Sequence, residues 1–263
     1  MRLRVAAAAA CLSAAALAHG AEAVKVYAAG SLRAPLTQAA AAFKAAHGAE
    51  VSFEFGASGL LRERLAKGEK ADVFASANME HPQSLSAAGL SGPVTLFARN
   101  RLCALAPAKL GVTTDNVLDR MLDPATRLGT STPKADPSGD YAWEVFGRAE
   151  KVRPGSFATL SAKALQLTGG PNSPPPPKGR SVYAAAVAEG HADIFLTYCT
   201  NAKAAAREEP SLAVVALPDT VVVGADYGMT AMRDVSPQGE AFAEFLLGPE
   251  GRHALSEAGF ALP

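Results

Sequence analysis

The chain carries no surplus of charge: 25 lysines and arginines stand against 25 aspartates and glutamates over 263 residues. That balance leaves no electrostatic footprint for nucleic acid, and no basic run marks a helix built for a membrane surface. Any anion held here must be caught by local geometry. There is no G-x-x-x-x-G-K-[ST] loop to cradle nucleotide phosphates, so an ATPase function would fall to a separate chain. There is no C-x-x-C redox pair, and His47, His81, His191 and His253 are scattered without metal-ligand spacing. A secreted serine hydrolase is the rival from another class, with Ser58 between glycines. Its spacing fails, because Gly56-Ala57-Ser58-Gly59-Leu60 places leucine where G-x-S-x-G requires the last glycine. No repeat, coiled coil or long charge run appears.

What is present begins with an export signal. Met1-Arg2-Leu3-Arg4 is basic, Val5 to Leu17 is apolar, and Ala21-Glu22-Ala23 offers a small-x-small cleavage site. Residues 1–23 are therefore expected to be a signal peptide, too short for a comfortable membrane anchor. The mature chain is long enough for two modest lobes or one large domain, each able to bury a core. Two cysteines remain in it, Cys103 and Cys199. In an oxidising compartment they either pair or stay as two buried thiols, and sequence leaves both open.

Short apolar runs alternate with amphipathic segments, the pattern of an α/β protein with a central sheet in each lobe. Val24 to Ala29 reads as a strand. Leu32, Leu36, Ala39, Ala40, Phe43 and Ala46 recur at helical spacing, with Pro35 near the start and Gly48 past the end. Val51, Phe53 and Phe55 alternate as a strand, Leu60 to Ala66 reads as a helix, and Asp72 to Ala75 as a strand. A strand opening at Leu102, after the polar Arg99-Asn100-Arg101, marks the first crossing between lobes. Further strands are expected near Arg127 to Gly129 and Ile194 to Tyr198, and helices near Tyr141 to Arg148 and Val182 to Glu189. The return crossing falls near Val221 to Met232. Ser236 to Leu247 and Gly251 to Ala258 read as terminal helices that pack back on the first lobe. Pro171-Asn172-Ser173 and Pro174 to Pro177 form a stiff loop. The division is thus 24–99 for the first part of lobe 1, 100–223 for lobe 2, and 224–263 for the return to lobe 1.

Three segments share one shape, a strand followed by a small hydroxyl residue and then a helix. They are Ala28-Ala29-Gly30-Ser31-Leu32, Phe55-Gly56-Ala57-Ser58-Gly59-Leu60 and Asp136-Pro137-Ser138-Gly139-Asp140-Tyr141. Each sets backbone N–H groups and a hydroxyl at a helix start, where the macrodipole favours negative charge. A single such serine is more often an ordinary helix cap. Three at the carboxyl ends of strands stand where ligands bind in open α/β sheets.

Taken in order, these segments resemble the periplasmic molybdate-binding proteins of ABC transporters, the ModA-like family. The likeness runs through Val26-Tyr27-Ala28-Ala29-Gly30-Ser31-Leu32, V-S-F-E-F-G-A-S-G from Val51 to Gly59, and G-E-K-A-D-V-F-A-S-A from Gly68 to Ala77. It continues through Pro137-Ser138-Gly139-Asp140-Tyr141-Ala142 and ends with Ala188-Glu189-Gly190-His191-Ala192-Asp193 leading to Tyr198. The resemblance implies a type II periplasmic binding protein fold: two lobes, each a central mixed sheet flanked by helices, with the ligand in the cleft between them. It implies a non-enzymatic monomer without cofactor that captures molybdate or tungstate in the periplasm. Its partners would be that oxyanion and an ABC permease with a separate ATPase.

Carried over by position, Ser31 and Ser58 would each give a hydroxyl and an N–H, Ser138 its backbone N–H with its hydroxyl as a further candidate, and Tyr198 its phenol. Counting back from Tyr198 along the family spacing puts the remaining backbone ligand near Arg180, whose guanidinium is a further candidate. Neutral donors can hold a buried dianion through several charge-assisted hydrogen bonds. A site made only of donors should reject protonated phosphate, which also needs an acceptor. Sulfate and phosphate remain rival ligands. Asp136 and Asp140 depart from this scheme, since a carboxylate aimed at the site would repel the ligand; both are expected to face solvent.

Overall fold

The structure is a computed structural model, and it describes residues 22–175 and 177–263. The expected signal peptide, 1–23, lies outside these residues except at its last two positions.

The first half builds β1 (Val24–Ala29), α1 (Arg33–His47), β2 (Val51–Gly56), α2 (Ser58–Ala66), β3 (Val73–Ser76) and α3 (Glu80–Ala87). Next come β4 (Thr95–Pro107), α4 (Val117–Leu122), β5 (Leu128–Ser131), α5 (Pro137–Val152), α6 (Ser156–Lys163), β6 (Leu165–Thr168) and α7 (Val182–Ala188). The chain closes with β7 (Ile194–Tyr198), α8 (Cys199–Glu208), β8 (Leu212–Ala216), β9 (Gly224–Ala231), α9 (Pro237–Leu247) and α10 (Pro249–Glu257).

The strands lie in the order β2-β1-β3-β9-β4-β7-β5-β6, with β8 also paired to β4. β1 runs parallel to β2 and β3, and β5 parallel to β6 and β7. Between these parallel groups stand β9 and β4, antiparallel to each other and to their outer neighbours. Strand β4 serves both halves: Thr95 to Arg101 pair with β9, and Cys103 to Pro107 pair with β8. The polar Arg99-Asn100-Arg101, read from sequence as the boundary before a strand, therefore lies inside one. Arg99 and Arg101 point to the exposed face, while the half-buried Asn100 between them points the other way and is hydrogen-bonded to Thr200 and Tyr227, so their polarity costs the strand little.

Strands β1, β3, β5 and β7 are buried along nearly their whole length, as parallel strands covered on both faces must be. Helix α1 turns Leu36, Ala39, Ala40 and Phe43 onto the sheet, and Phe43 packs edge-on against Phe242 and Phe245 of α9. The returning helices thus close over the first half, and Asp72 ties them down by accepting the N–H groups of Lys25 and Ser236. Cys103 of β4 and Cys199 at the start of α8 are joined as a disulfide. It bridges 96 positions of sequence and pins the first turn of α8, directly after Tyr198, to the shared strand.

Candidate functional site

The carboxyl ends of the parallel strands of both halves lead to the candidate residues. β1 ends at Ala29 just before Ser31, β2 at Gly56 just before Ser58, β5 at Ser131 ahead of α5, and β7 at Tyr198 itself.

None of the three serines is the cap of the helix it precedes. Ala57 holds the N-cap position of α2, Leu32 that of α1, and the Asp136 carboxylate caps α5 by accepting the Ser138 N–H at 3.0 Å. The bland reading of Ser31 and Ser58 as capping residues is thereby replaced. Their hydroxyls turn elsewhere. Ser31 Oγ lies 2.9 Å from the phenol oxygen of Tyr227, and Ser58 Oγ accepts the Ala77 N–H at 3.1 Å. Tyr198 Oη in turn lies 3.4 Å from the Ala77 carbonyl, and its ring packs edge-on against Tyr227 with centroids 5.5 Å apart. Ser31, Tyr227, Tyr198, Ala77 and Ser58 therefore form one continuous set of contacts across the two halves.

The start of α5 closes the other side. Tyr141, in its first turn, packs edge-on against Tyr198 at 6.3 Å. Gly59 donates its N–H to the Ala135 carbonyl at 2.9 Å, so the start of α2 meets the loop leading into α5. Ser138 is fully buried and its Oγ has no hydrogen-bond partner among the described residues. Burial raises the phenols of Tyr198 and Tyr227, so both keep the proton they would donate.

Four expectations need correction. The Ser138 N–H, expected to meet the ligand, is taken by the Asp136 carboxylate at 3.0 Å. Asp136 does not face solvent: it is partly buried, caps α5 and packs on Gly169, where even a Cβ would lie 2.5 Å from its Oδ2. Burial pushes its carboxyl up to about 6, against the pull of the Ser138 N–H, and its charge is felt at Tyr198. Asp140 is likewise half-buried and accepts the Lys134 N–H at 2.8 Å. The structure does not bring Arg180 to Ser31, Ser58 and Tyr198. Its N–H is spent on the Pro177 carbonyl, and its exposed guanidinium pairs with Glu189 at 3.0 Å and Glu208 at 3.7 Å. Glu208 ends the helix that Tyr198 begins, roughly 14 Å away at 1.5 Å per residue. The proline loop before Arg180 breaks the spacing from which its position was counted.

Sequence reasoning missed Tyr227 and Asn100. Asn100 Nδ2 donates to Thr200 Oγ1 at 2.9 Å and to Tyr227 Oη at 3.5 Å, linking the crossing strands to α8. The available signal was their place on β4 and β9, the strands that carry the chain between halves. Among the described residues no group of three or more His, Cys, Asp or Glu could hold a metal ion.

The family model for bacterial extracellular solute-binding proteins matches residues 24–261, nearly all of the described chain. The chain belongs to that family. Among curated relatives of this solute-binding protein, the uncharacterized protein PM1146 of Pasteurella multocida is 39% identical over 211 residues, 79% of this chain and 86% of the relative. The molybdate-binding protein ModA of Mycobacterium tuberculosis is 29% identical over 253 residues, 93% of this chain and 87% of the relative. Two solved structures share the fold. The periplasmic molybdate-binding protein of Azotobacter vinelandii superposes with a TM-score of 0.74 at 22% identity, covering 91% of this chain and 99% of that one. The sulfate-binding protein SubI of Mycobacterium tuberculosis gives 0.73 at 18%, covering 91% and 86%. The solute-binding protein thus has the expected α/β type II periplasmic binding protein fold, with a mixed sheet in each half.

Proposed function

We propose that this solute-binding protein captures molybdate, with tungstate as its close chemical equivalent, and delivers it to the permease of an ABC importer whose ATPase is a separate chain. The carrying observation is the convergence of Ser31, Ser58 and Tyr198 through Ala77 and Tyr227, which supports a cleft lined by neutral hydrogen-bond donors. Such donors hold a dianion through charge-assisted bonds without a counter-cation. Export to the periplasm follows from the expected leader. Binding from both halves favours the closed arrangement, and the permease reads that closure. The hydrolase reading loses support because the Ser58 hydroxyl is engaged by the Ala77 N–H, not by a histidine.

One observation favours a second ligand. Asp136 takes the Ser138 N–H and holds a carboxylate whose charge is felt at Tyr198. That suits an oxyanion which keeps a proton, such as hydrogen phosphate. Calorimetric titration of the ligand-stripped protein with molybdate, tungstate, sulfate and phosphate separates the readings. Molybdate and tungstate binding orders of magnitude tighter than phosphate is the expected outcome, and heat from phosphate alone would replace this reading with the second.

A further inference from the structure

Ser31 Oγ has one hydrogen to give, and which way that hydrogen points decides what the cleft can hold. Tyr227 Oη, 2.9 Å away, is the one hydrogen-bond partner of Ser31 Oγ among the described residues, and either oxygen is a competent donor. The choice is made one residue further on. Asn100 lies within reach of Tyr227 Oη at 3.5 Å and of Thr200 Oγ1 at 2.9 Å. Its amide orientation is fixed independently: the Arg101 N–H, which can only donate, lies 2.9 Å from the other end of the amide, so that end is the oxygen Oδ1. The end facing Tyr227 is therefore the NH2 group, which can only donate. Tyr227 accepts there, and its own hydrogen is left for Ser31 Oγ or for the neighbouring Tyr198 hydroxyl. Ser31 Oγ, at 2.9 Å, is the one of the two within hydrogen-bond geometry; a Ser31 that accepts there has no protein acceptor for its own hydrogen, which is left for the cleft.

We propose that Asn100 and Tyr227 are positioning residues that polarise Ser31, aiming its hydrogen at the ligand and so selecting a fully deprotonated tetrahedral oxyanion over one that carries a proton. The inference rests on the oxyanion reading of the cleft and adds the reason for its selectivity. Placement on β4 and β9 matters too: the relay sits on the strands shared by both halves, and it links Ser31 of the first half to Thr200 of α8 in the second.

The test uses molybdate and hydrogen phosphate at pH 8, where both are mainly dianions and differ in whether they bear a proton. Because their charge is nearly equal, the ratio of their dissociation constants cancels any general electrostatic change that a substitution brings. Asn100→Asp replaces the NH2 by an acceptor and reverses the relay, so that Ser31 presents a lone pair to the cleft. The molybdate-to-phosphate preference is expected to fall at least tenfold relative to wild type. Tyr227→Phe removes the link while keeping the ring, and is expected to lower the preference less, because Ser31 is then free to turn either way. Circular dichroism and melting curves establish that each variant is folded, and Tyr227→Phe carries the test alone if Asn100→Asp is not. A preference unmoved in the folded variants, with wild type binding molybdate, overturns the relay. Wild type that binds neither these ions nor sulfate overturns the oxyanion reading and the relay with it.

Discussion

Gly59 and Ala135 meet across the cleft, N–H to carbonyl at 2.9 Å, so closely that a Cβ on Gly59 would lie 2.4 Å from the Lys134 carbonyl oxygen and 2.7 Å from that of Ala135. Both obstacles are backbone, which yields less readily than a flexible side chain. Glycine is required here by the approach of the two halves, not by its dihedral freedom. Gly59→Ala is therefore expected to keep the halves from closing while the open protein folds normally, alanine being the better helix former. Affinity for the cleft ligand should drop tenfold or more, about 1.4 kcal/mol. Small-angle scattering should show no contraction on adding ligand; normal contraction with wild-type affinity would refute this account of closure.

Ser31→Ala, Ser58→Ala and Tyr198→Phe each delete one hydroxyl from the connected set and little volume. Each should weaken binding by about 1 to 3 kcal/mol, the usual cost of a lost hydrogen bond to a charged group. Ser58→Ala should also lower the melting temperature, because the buried Ala77 N–H loses its acceptor. Calorimetry on the three variants checks this, and wild-type affinity in both serine variants would show that the ligand sits elsewhere.

Much of the architecture is legible from the chain because its signals are local. The stretches Val24 to Ala29 and Ile194 to Tyr198 match β1 and β7 end for end, since buried parallel strands read as nearly continuous hydrophobic stretches, interrupted here by Lys25 and Thr197. Helix α5 begins earlier than the periodicity suggests, at Pro137, because proline is tolerated at the first helical position. Short or half-exposed elements, such as β6 with its exposed Leu165, carry too weak a pattern to be read. The site divides the same way. Ser31 and Ser58 follow closely on β1 and β2 and Tyr198 ends β7, so local pattern and order point to these positions, whereas Ser138 lies within α5 with its N–H taken by Asp136. Nothing local points to Tyr227, because its partner Ser31 is 196 residues away and no local periodicity encodes that meeting. The inward turn of Asp136 was likewise invisible, since it depends on Gly169 leaving room beside it.

The Cys103–Cys199 bridge closes a long loop between the shared strand and the helix after Tyr198. Cross-links of this span restrict the unfolded chain, and their loss typically costs about 2–4 kcal/mol. The double variant Cys103→Ser, Cys199→Ser should therefore show an earlier urea midpoint than the oxidised protein. Adding reductant should shift the wild type toward the variant and leave the variant unmoved. Coincident urea curves for oxidised wild type and variant would mean the bridge contributes nothing to stability.

Asp136 supplies a pH test whose sign can be worked out. Its carboxyl is raised from 3.8 to about 6, chiefly by burial and partly relieved by the Ser138 N–H. The folded protein thus holds this proton more tightly than the unfolded chain does, and stability falls wherever the folded state binds more protons and pH rises. The stabilising contribution is complete below about pH 4 and is lost as pH climbs through about 6. Asp136→Asn keeps an oxygen to accept the Ser138 N–H but cannot ionise. The stability of wild type minus that of the variant should therefore decline across this window, by roughly 3 kcal/mol at most for a shift of this size, and level off above it. Taking the difference matters because Asp193, lowered by its bonds to Arg127, contributes with the opposite sign and is common to both proteins. Urea titrations at intervals from pH 3.5 to 8 supply the curve. A difference that rises with pH would mean the carboxylate is stabilised where it lies, and the charge felt at Tyr198 would then be fixed instead of one that is lost to a proton near neutrality.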